Sequence, residues 1–288
     1  ARIPLACALA GRADLGTRSL AWYRAHPDRR MFDGTGERYG SYYLALLAHG
    51  AAQLGRWDAA DELCDALTRW HAPCGAPWSR TRSGCGEVEI VPACQAGMTY
   101  LAASRRDEGL RIADLVVDAW AQQPAPEDRL YLICDADGQL ITEPHRGEAD
   151  GERAFYVLER EGERQHFFTG GIAAALLVQA HWVTGEARYL ACARQYFAFA
   201  IAQPHQFGAY QCCKTAWGAS YLAAATGEEE PAAWIARMAE WFLAEQRADG
   251  SWIDPNFSDA ASPVALITSE FAQHLSALTF GLGHLKRA

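Results

Sequence analysis

Two kinds of segment alternate along the chain. Residues 42–52, 91–103, 171–183, 214–225 and 264–282 are small and apolar at almost every position. Such runs read as helices buried on all sides. Between them lie segments whose apolar residues recur at helical spacing. Trp57, Ala60, Leu63, Leu67 and Trp70 form one stripe, residues 110–120 carry another, and Leu190, Ala193, Phe197 and Ile201 form a third. Ile235, Met238 and Phe242, with Glu245, occupy the equivalent stripe of a fourth. These read as half-exposed helices, and a further helix near residues 15–25 is expected to pack outside. The pattern predicts about five buried helices and five outer ones.

The alternation is a repeat. Thr184-Gly185-Glu186 returns 42 residues later as Thr226-Gly227-Glu228, and Gly208-Ala209-Tyr210 returns at the same offset as Gly250-Ser251-Trp252. Each unit is a buried helix, a tight glycine turn and an amphipathic helix. One region departs from it. Residues 129–168 alternate in polarity and hold two turn signals, Asp137-Gly138 and Glu161-Gly162, which predicts a small β insertion. No Pro/Gly/Ser-rich linker interrupts residues 1–288, so a single domain is expected. The fold expected is all-α: an α/α toroid of about five to six helical hairpins with a β-hairpin insertion near 129–168. An open solenoid is the alternative. Helices apolar on all sides favour closure, and closure creates a central cavity.

Trp241-Phe242-Leu243, Gln246 and Asp249-Gly250-Ser251-Trp252 resemble the Gln-Trp repeat motif of triterpene cyclases. The resemblance covers one good motif and one degraded copy ending at Tyr210. It places the chain with the α/α toroids, among them the terpenoid cyclases and prenyltransferases, and in outline glycoside hydrolases, polysaccharide lyases and sugar 2-epimerases. It implies fold more than chemistry. The Asp-x-Asp-Asp acid motif of class II cyclases is absent; Asp135-Ala136-Asp137-Gly138 is the nearest string and reads as a hairpin turn. The Cys-His-Gly zinc signature of the lanthionine-cyclase toroid is absent too. Cys85 and Cys94, with Asp33 and Tyr39, faintly resemble the thiol-bearing pocket of linalool dehydratase-isomerase.

Composition narrows the function classes. Acidic residues number 35 against 26 basic ones, a net charge of −9, which disfavours a nucleic-acid partner. No run reaches the ~18 apolar residues of a membrane helix. Nine cysteines without repeated short spacing fit reduced thiols in a cytoplasmic protein. The chain has only two lysines, Lys214 and Lys286, and one asparagine, Asn256, so each survivor carries more information than usual. No P-loop, Gly-x-Gly-x-x-Gly, Gly-x-Ser-x-Gly or His-Glu-x-x-His motif occurs, and no cofactor is expected.

In a toroid, the loops leading into the inner helices gather on one face. Those loops carry the polar and titratable residues: Asp33, Glu37, Arg38 and Tyr39; Cys85, Glu87, Glu89 and Cys94; Arg164, His166 and Phe168; Cys212, Cys213 and Lys214; Asp254, Asn256 and Ser262. The candidate catalytic residues are Asp33, Tyr39, Glu87, Glu89 and His166. Asp33 or Glu89 would serve as acid and His166 as base. The candidate substrate-binding residues are Arg38, Phe168, Lys214, Trp217, Asp254 and Asn256, with Lys214 as anion anchor. Each has a plainer reading: helix caps for Asp33, Asp254 and Ser262, a solvated loop for Glu87 and Glu89, an aromatic wall for Tyr39, a snorkelling side chain for Lys214. His49, His181 and His274 lie inside apolar helices, and satisfied core histidines are expected, although His49 and His274 can face a cavity. No metal site is expected, since adjacent Cys212-Cys213 and the nine-residue step from Cys85 to Cys94 are not ligand spacings. The leading expectation is a cofactor-independent acid–base cyclase or isomerase acting on an apolar or polycyclic small molecule of specialised metabolism. The alternatives are a carbohydrate-active enzyme (hydrolase, lyase or epimerase) and a non-catalytic scaffold.

Overall fold

The computed structural model describes residues 1–26, 40–79, 86–143, 156–163, 165–208, 212–253 and 261–285. Eleven α-helices run through them: α1 (Ile3–Leu9), α2 (Ala13–Ala25), α3 (Gly40–Gln53), α4 (Trp57–Thr68), α5 (Ile90–Ala102), α6 (Arg106–Ala121), α7 (Thr169–Thr184), α8 (Ala187–Ile201), α9 (Cys213–Thr226), α10 (Glu229–Glu245) and α11 (Ala261–Leu285). The odd-numbered helices form a ring in which α1 packs on α3, α3 on α5, α5 on α7, α7 on α9, α9 on α11, and α11 back on α1. The even-numbered helices lie outside: α2 against α1, α4 against α3, α6 against α5, α8 against α7 and α10 against α9. This is an α/α toroid, as the alternation of buried and amphipathic segments predicts.

One inner helix escapes the sequence pattern. α1 is only seven residues long, too short to show a period, yet it closes the ring. Pro4 and Leu5 are buried against α3, where the backbone nitrogen of Leu5 lies so close to Gly50 that a Cβ there would sit 2.7 Å away.

The repeat has a physical cause. Gly185 and Gly227 end α7 and α9 in the left-handed conformation, with φ of 77° and 70°. The preceding threonine hydroxyls then accept the backbone N–H of Glu186 and Glu228, each at 3.1 Å. The same turn thus starts α8 and α10. The Gln-Trp-like segment closes α10 locally: Gln246 Nε2 donates to the Gly250 carbonyl at 3.0 Å, and the Trp252 indole donates to the Phe242 carbonyl at 2.9 Å.

The β insertion is more divided than expected. β2 (Arg129–Tyr131) pairs antiparallel with β4 (Val157–Glu159), as a hairpin insertion would. β3 (Ile133–Cys134) instead pairs with β1 (Val88–Glu89), which leads into α5. Leu132 separates the two sheets and accepts the N–H of Ile90 at 2.9 Å. The insertion therefore clamps the start of an inner helix. Asp135-Ala136-Asp137-Gly138 is a turn: Asp135 Oδ1 accepts the N–H groups of Asp137 and Gln139, and Gly138 has φ of 87°.

Candidate functional site

The ring centre holds charge. Lys214, in the first turn of α9, is 1% exposed and donates to Glu270 Oε1 of α11. Arg2, just before α1, pairs with the other carboxylate oxygen of Glu270. Cys213 Sγ lies 3.8 Å from Glu270 Oε1. Three elements that are remote in sequence thus converge on one buried carboxylate. Removing ions from water costs several kcal/mol each, roughly, unless they are paired, so the pairing is obligatory.

Backbone packing sets this geometry. A Cβ on Gly171 would lie 2.3 Å from Thr215 Cα, and one on Gly218 would lie 2.3 Å from the Gly171 carbonyl oxygen. α7 and α9 therefore touch backbone to backbone. Their starts meet, and the Lys214 ammonium sits 4.2 Å from the centroid of the Phe168 ring. The ring face supplies negative potential to the desolvated ammonium.

Two histidines complete the centre. His274 lies one helical turn beyond Glu270 on the same face of α11. It is buried, its Nδ1 has no hydrogen-bond partner, and Trp217 packs edge-on against it at 5.5 Å. Burial, then the charges of Lys214 and Arg2, hold its pKa well below the ordinary histidine value. His49 of α3 also packs near Trp217, with ring centroids 6.4 Å apart. Gln95 Nε2 donates to its Nδ1 at 3.2 Å, which leaves the neutral ring's proton on Nε2. Burial pushes its pKa down to about 4. Both rings are neutral at physiological pH.

Glu87 and Glu89 have different surroundings from a solvated loop. Glu89 is fully buried beside α5 and pairs with Ile133 across the small sheet. Glu87 Oε1 accepts from the Tyr156 hydroxyl at 2.6 Å. Their backbones are fixed by Ser79, whose hydroxyl donates to the Glu87 carbonyl and accepts from Glu89 N–H. His166 stacks obliquely on Phe168 at 5.2 Å, and its carbonyl accepts the first N–H and the hydroxyl of Thr169 in α7. Among the eleven candidates, Glu87, Glu89, His166, Phe168, Lys214 and Trp217 are described; Asp33, Arg38, Tyr39, Asp254 and Asn256 lie outside the described residues. Phe168, Lys214 and Trp217 come together at the centre. His166 reaches it through Phe168.

Sequence reasoning missed Arg2 and Glu270, and it treated His274 as a core residue. The signal was available for two of them: Glu270 and His274 stand four apart in an otherwise apolar helix, and a buried lysine demands a counter-charge. Nothing local marks Arg2.

Cys213, Glu270 and His274 place possible ligand atoms within 4.8 Å of one another. Arg2 and Lys214 already hold the two oxygens of Glu270, so an added cation would meet two others. The set is better matched to proton transfer. Four buried thiols are poor nucleophiles: burial pushes Cys64, Cys134 and Cys192 up to about 12 and raises Cys94 further. No helix among the described residues is long and apolar enough to cross a membrane.

No protein-family model matches the chain, and no curated protein matches it. Solved structures do. A D-mannose isomerase superimposes with a TM-score of 0.63 over 97% of this chain and 81% of its own, at 13% identity. The GH76A α-1,6-mannanase from Salegentibacter sp. HEL1_6 gives 0.66 over 99% of this chain and 88% of its own, at 11% identity. A family 76 glycoside hydrolase from a bovine Bacteroides thetaiotaomicron strain gives 0.58 over 100% and 68%, at 12% identity. Likeness at these identities carries the α/α-toroid fold. It supports that half of the Gln-Trp resemblance and lends nothing to kinship with the terpenoid cyclases.

Proposed function

We propose that this chain is a carbohydrate-active enzyme of the isomerase or epimerase kind, working by proton transfer on a small sugar at the ring centre. The observation that carries this reading is the buried set Arg2–Glu270–Lys214 with the neutral, unpartnered His274 Nδ1 beside it. A core needs no such set, and strongly shifted groups gather where chemistry is done. The toroid neighbours, a D-mannose isomerase, an α-1,6-mannanase and a family 76 glycoside hydrolase, point to sugars as the substrate class. The apolar cyclase reading has less support, because the centre is ionic as well as aromatic.

The chemistry follows from the groups. A neutral imidazole takes the proton from the carbon beside a sugar carbonyl. The electron pair moves onto the carbonyl oxygen, and the nearby ammonium stabilises the resulting oxyanion. Return of the proton to the same carbon from the opposite face epimerises the sugar; return to the neighbouring carbon, with the hydroxyl proton passing from that carbon's oxygen to the former carbonyl oxygen, isomerises it. His274 is the base in this scheme and Lys214 the electrostatic partner. Hydrolysis would need two carboxylates flanking a glycosidic bond. Glu270 is already committed to two cations, so inverting or retaining hydrolysis has weaker support.

Incubation with D-mannose, D-glucose or D-fructose in D2O tests the reading by proton NMR. The expected result is deuterium entering at C1 or C2, with new aldose or ketose signals. Substitution His274→Ala should slow the exchange at least a hundredfold. Absence of exchange with all three sugars, with release of reducing ends from an α-mannan, would replace it by the hydrolase reading.

A further inference from the structure

A pocket of about 410 Å3 opens among the C-terminal ends of the inner helices, on the face opposite the loops that lead into them. Every inner helix contributes: Leu5 from α1, His49 from α3, Leu101 from α5, Gln179 and Trp182 from α7, Trp217 and Tyr221 from α9, Gln273 and Phe280 from α11. Its size falls in the range of small-molecule sites, roughly 300–1,000 Å3.

Three features of the lining specify the ligand. First, aromatic rings descend from the rim to the centre. Trp182 and Phe280 are 45% and 40% exposed, and each packs on Tyr221, at 5.1 and 5.7 Å. Tyr221 packs on Trp217 at 6.1 Å, and Trp217 reaches His49 and His274. Large aromatics left half in water at a pocket mouth offer flat faces to a ligand. Second, no Asp, Glu, Lys or Arg among the described residues lines the pocket, and the histidine that does, His49, is held neutral by burial. A charged ligand would be desolvated there without a counter-charge. Third, the polar lining is made of amides and hydroxyls. Gln273 is 4% exposed, and its Oε1 has no hydrogen-bond partner, an acceptor that a buried site should satisfy. Gln179 already donates to the Tyr221 hydroxyl.

We infer that this pocket is a binding site for a neutral pyranose ring, stacked by its C–H face on Trp182 and giving a hydroxyl hydrogen bond to Gln273 Oε1. A wholly apolar ligand would leave that oxygen unsatisfied. An anionic sugar would find no cation. His49 and Trp217 line it and also flank the charged cluster, but Arg2, Lys214 and Glu270 are not part of its lining, and the inference does not depend on the acid–base reading.

Methyl α-D-glucopyranoside tests this cleanly, because a glycoside has no carbonyl to isomerise. Saturation-transfer NMR and titration of the indole fluorescence of the whole chain should detect its binding. Trp182→Ala and Gln273→Leu should each weaken it at least tenfold, with unchanged far-ultraviolet circular dichroism. Trp57→Ala, an exposed tryptophan on outer helix α4, should leave it unchanged. No binding at tens of millimolar, or binding indifferent to both pocket variants, overturns the proposal. So does tight binding of 2-naphthol with none of the glycoside, which would make the pocket an apolar-ligand site. Loss of sugar exchange in D2O with glycoside binding intact would sink the catalytic reading alone.

Discussion

Lys214 shows how one residue gains its meaning from partners. Its rarity in the sequence flagged it, but the charge that answers it, Glu270, is 56 positions away and also serves Arg2. Removing different members of the set should therefore have unequal effects. Glu270→Gln leaves two buried cations facing each other and should destabilise the chain by about 3–5 kcal/mol. Lys214→Met leaves Arg2 and Glu270 as a matched pair and should cost clearly less. Denaturant unfolding of the two variants gives the ranking; an equal or reversed order would refute the shared-carboxylate arrangement. His49 adds a pH dependence. Its pKa falls from 6.5 unfolded to about 4 folded, so between those values the unfolded chain binds more protons. Stability then rises with pH, is complete above about 6.5, and is lost as pH falls toward 4. The depression corresponds to about 3 kcal/mol for this residue. His49→Gln should flatten the slope of unfolding free energy between pH 4.5 and 6.5, measured at several pH values.

Elements were legible where their patterns are long. The helices predicted over 42–52, 91–103, 171–183 and 214–225 are α3, α5, α7 and α9, within a residue or two at most ends. The threonine-glycine-glutamate repeat marked real helix boundaries, because only glycine adopts the required backbone without strain. Less legible was how the elements meet. Gly171 and Gly218 look like ordinary small residues in apolar helices, yet they let α7 and α9 touch. Gly218→Ala should force those backbones apart and cost about 1–3 kcal/mol. The same shift draws Lys214 away from Phe168, so tryptophan emission from neighbouring Trp217 should change with it. An Ala variant as stable as the parent would show that the contact is looser than described. β1 and β3 were missed as a pair for a related reason: two-residue strands have no period to read.

For the molecule as a whole, closure is the decisive event. The first nine residues supply a short helix that joins α11 to α3, and without it the inner helices form an open arc. Leu5 is buried within that seam and also lines the pocket. Leu5→Ala should destabilise by about 2–5 kcal/mol, measured by thermal or denaturant unfolding. It should also enlarge the cavity at its α1 wall and strengthen binding of a bulkier glycoside. One ring thus carries an ionic cluster toward the helix starts and a neutral aromatic pocket toward the helix ends. At the ionic centre, Phe168, Lys214 and Trp217 meet Arg2, Glu270 and His274, which the fold brings from the two ends of the chain.

Periodicity by itself determined the class of this protein. Long runs of small apolar residues can be satisfied only by burial on all sides, and their alternation with amphipathic helices already specifies two layers of paired helices, as a closed toroid or an open solenoid. Composition also singled out Lys214. The tertiary structure alone decided what that lysine faces, because its counter-ion and a neutral imidazole come from α11 and its cation–π partner from the start of α7, elements whose distance along the chain from Lys214 carries no signal. It alone decided that α1 closes the ring, that Glu89 is buried, and that the C-terminal ends of the inner helices leave a pocket. Local sequence sets which face of a helix is apolar; only the packing of all the helices sets whether the space they surround is filled, charged or empty.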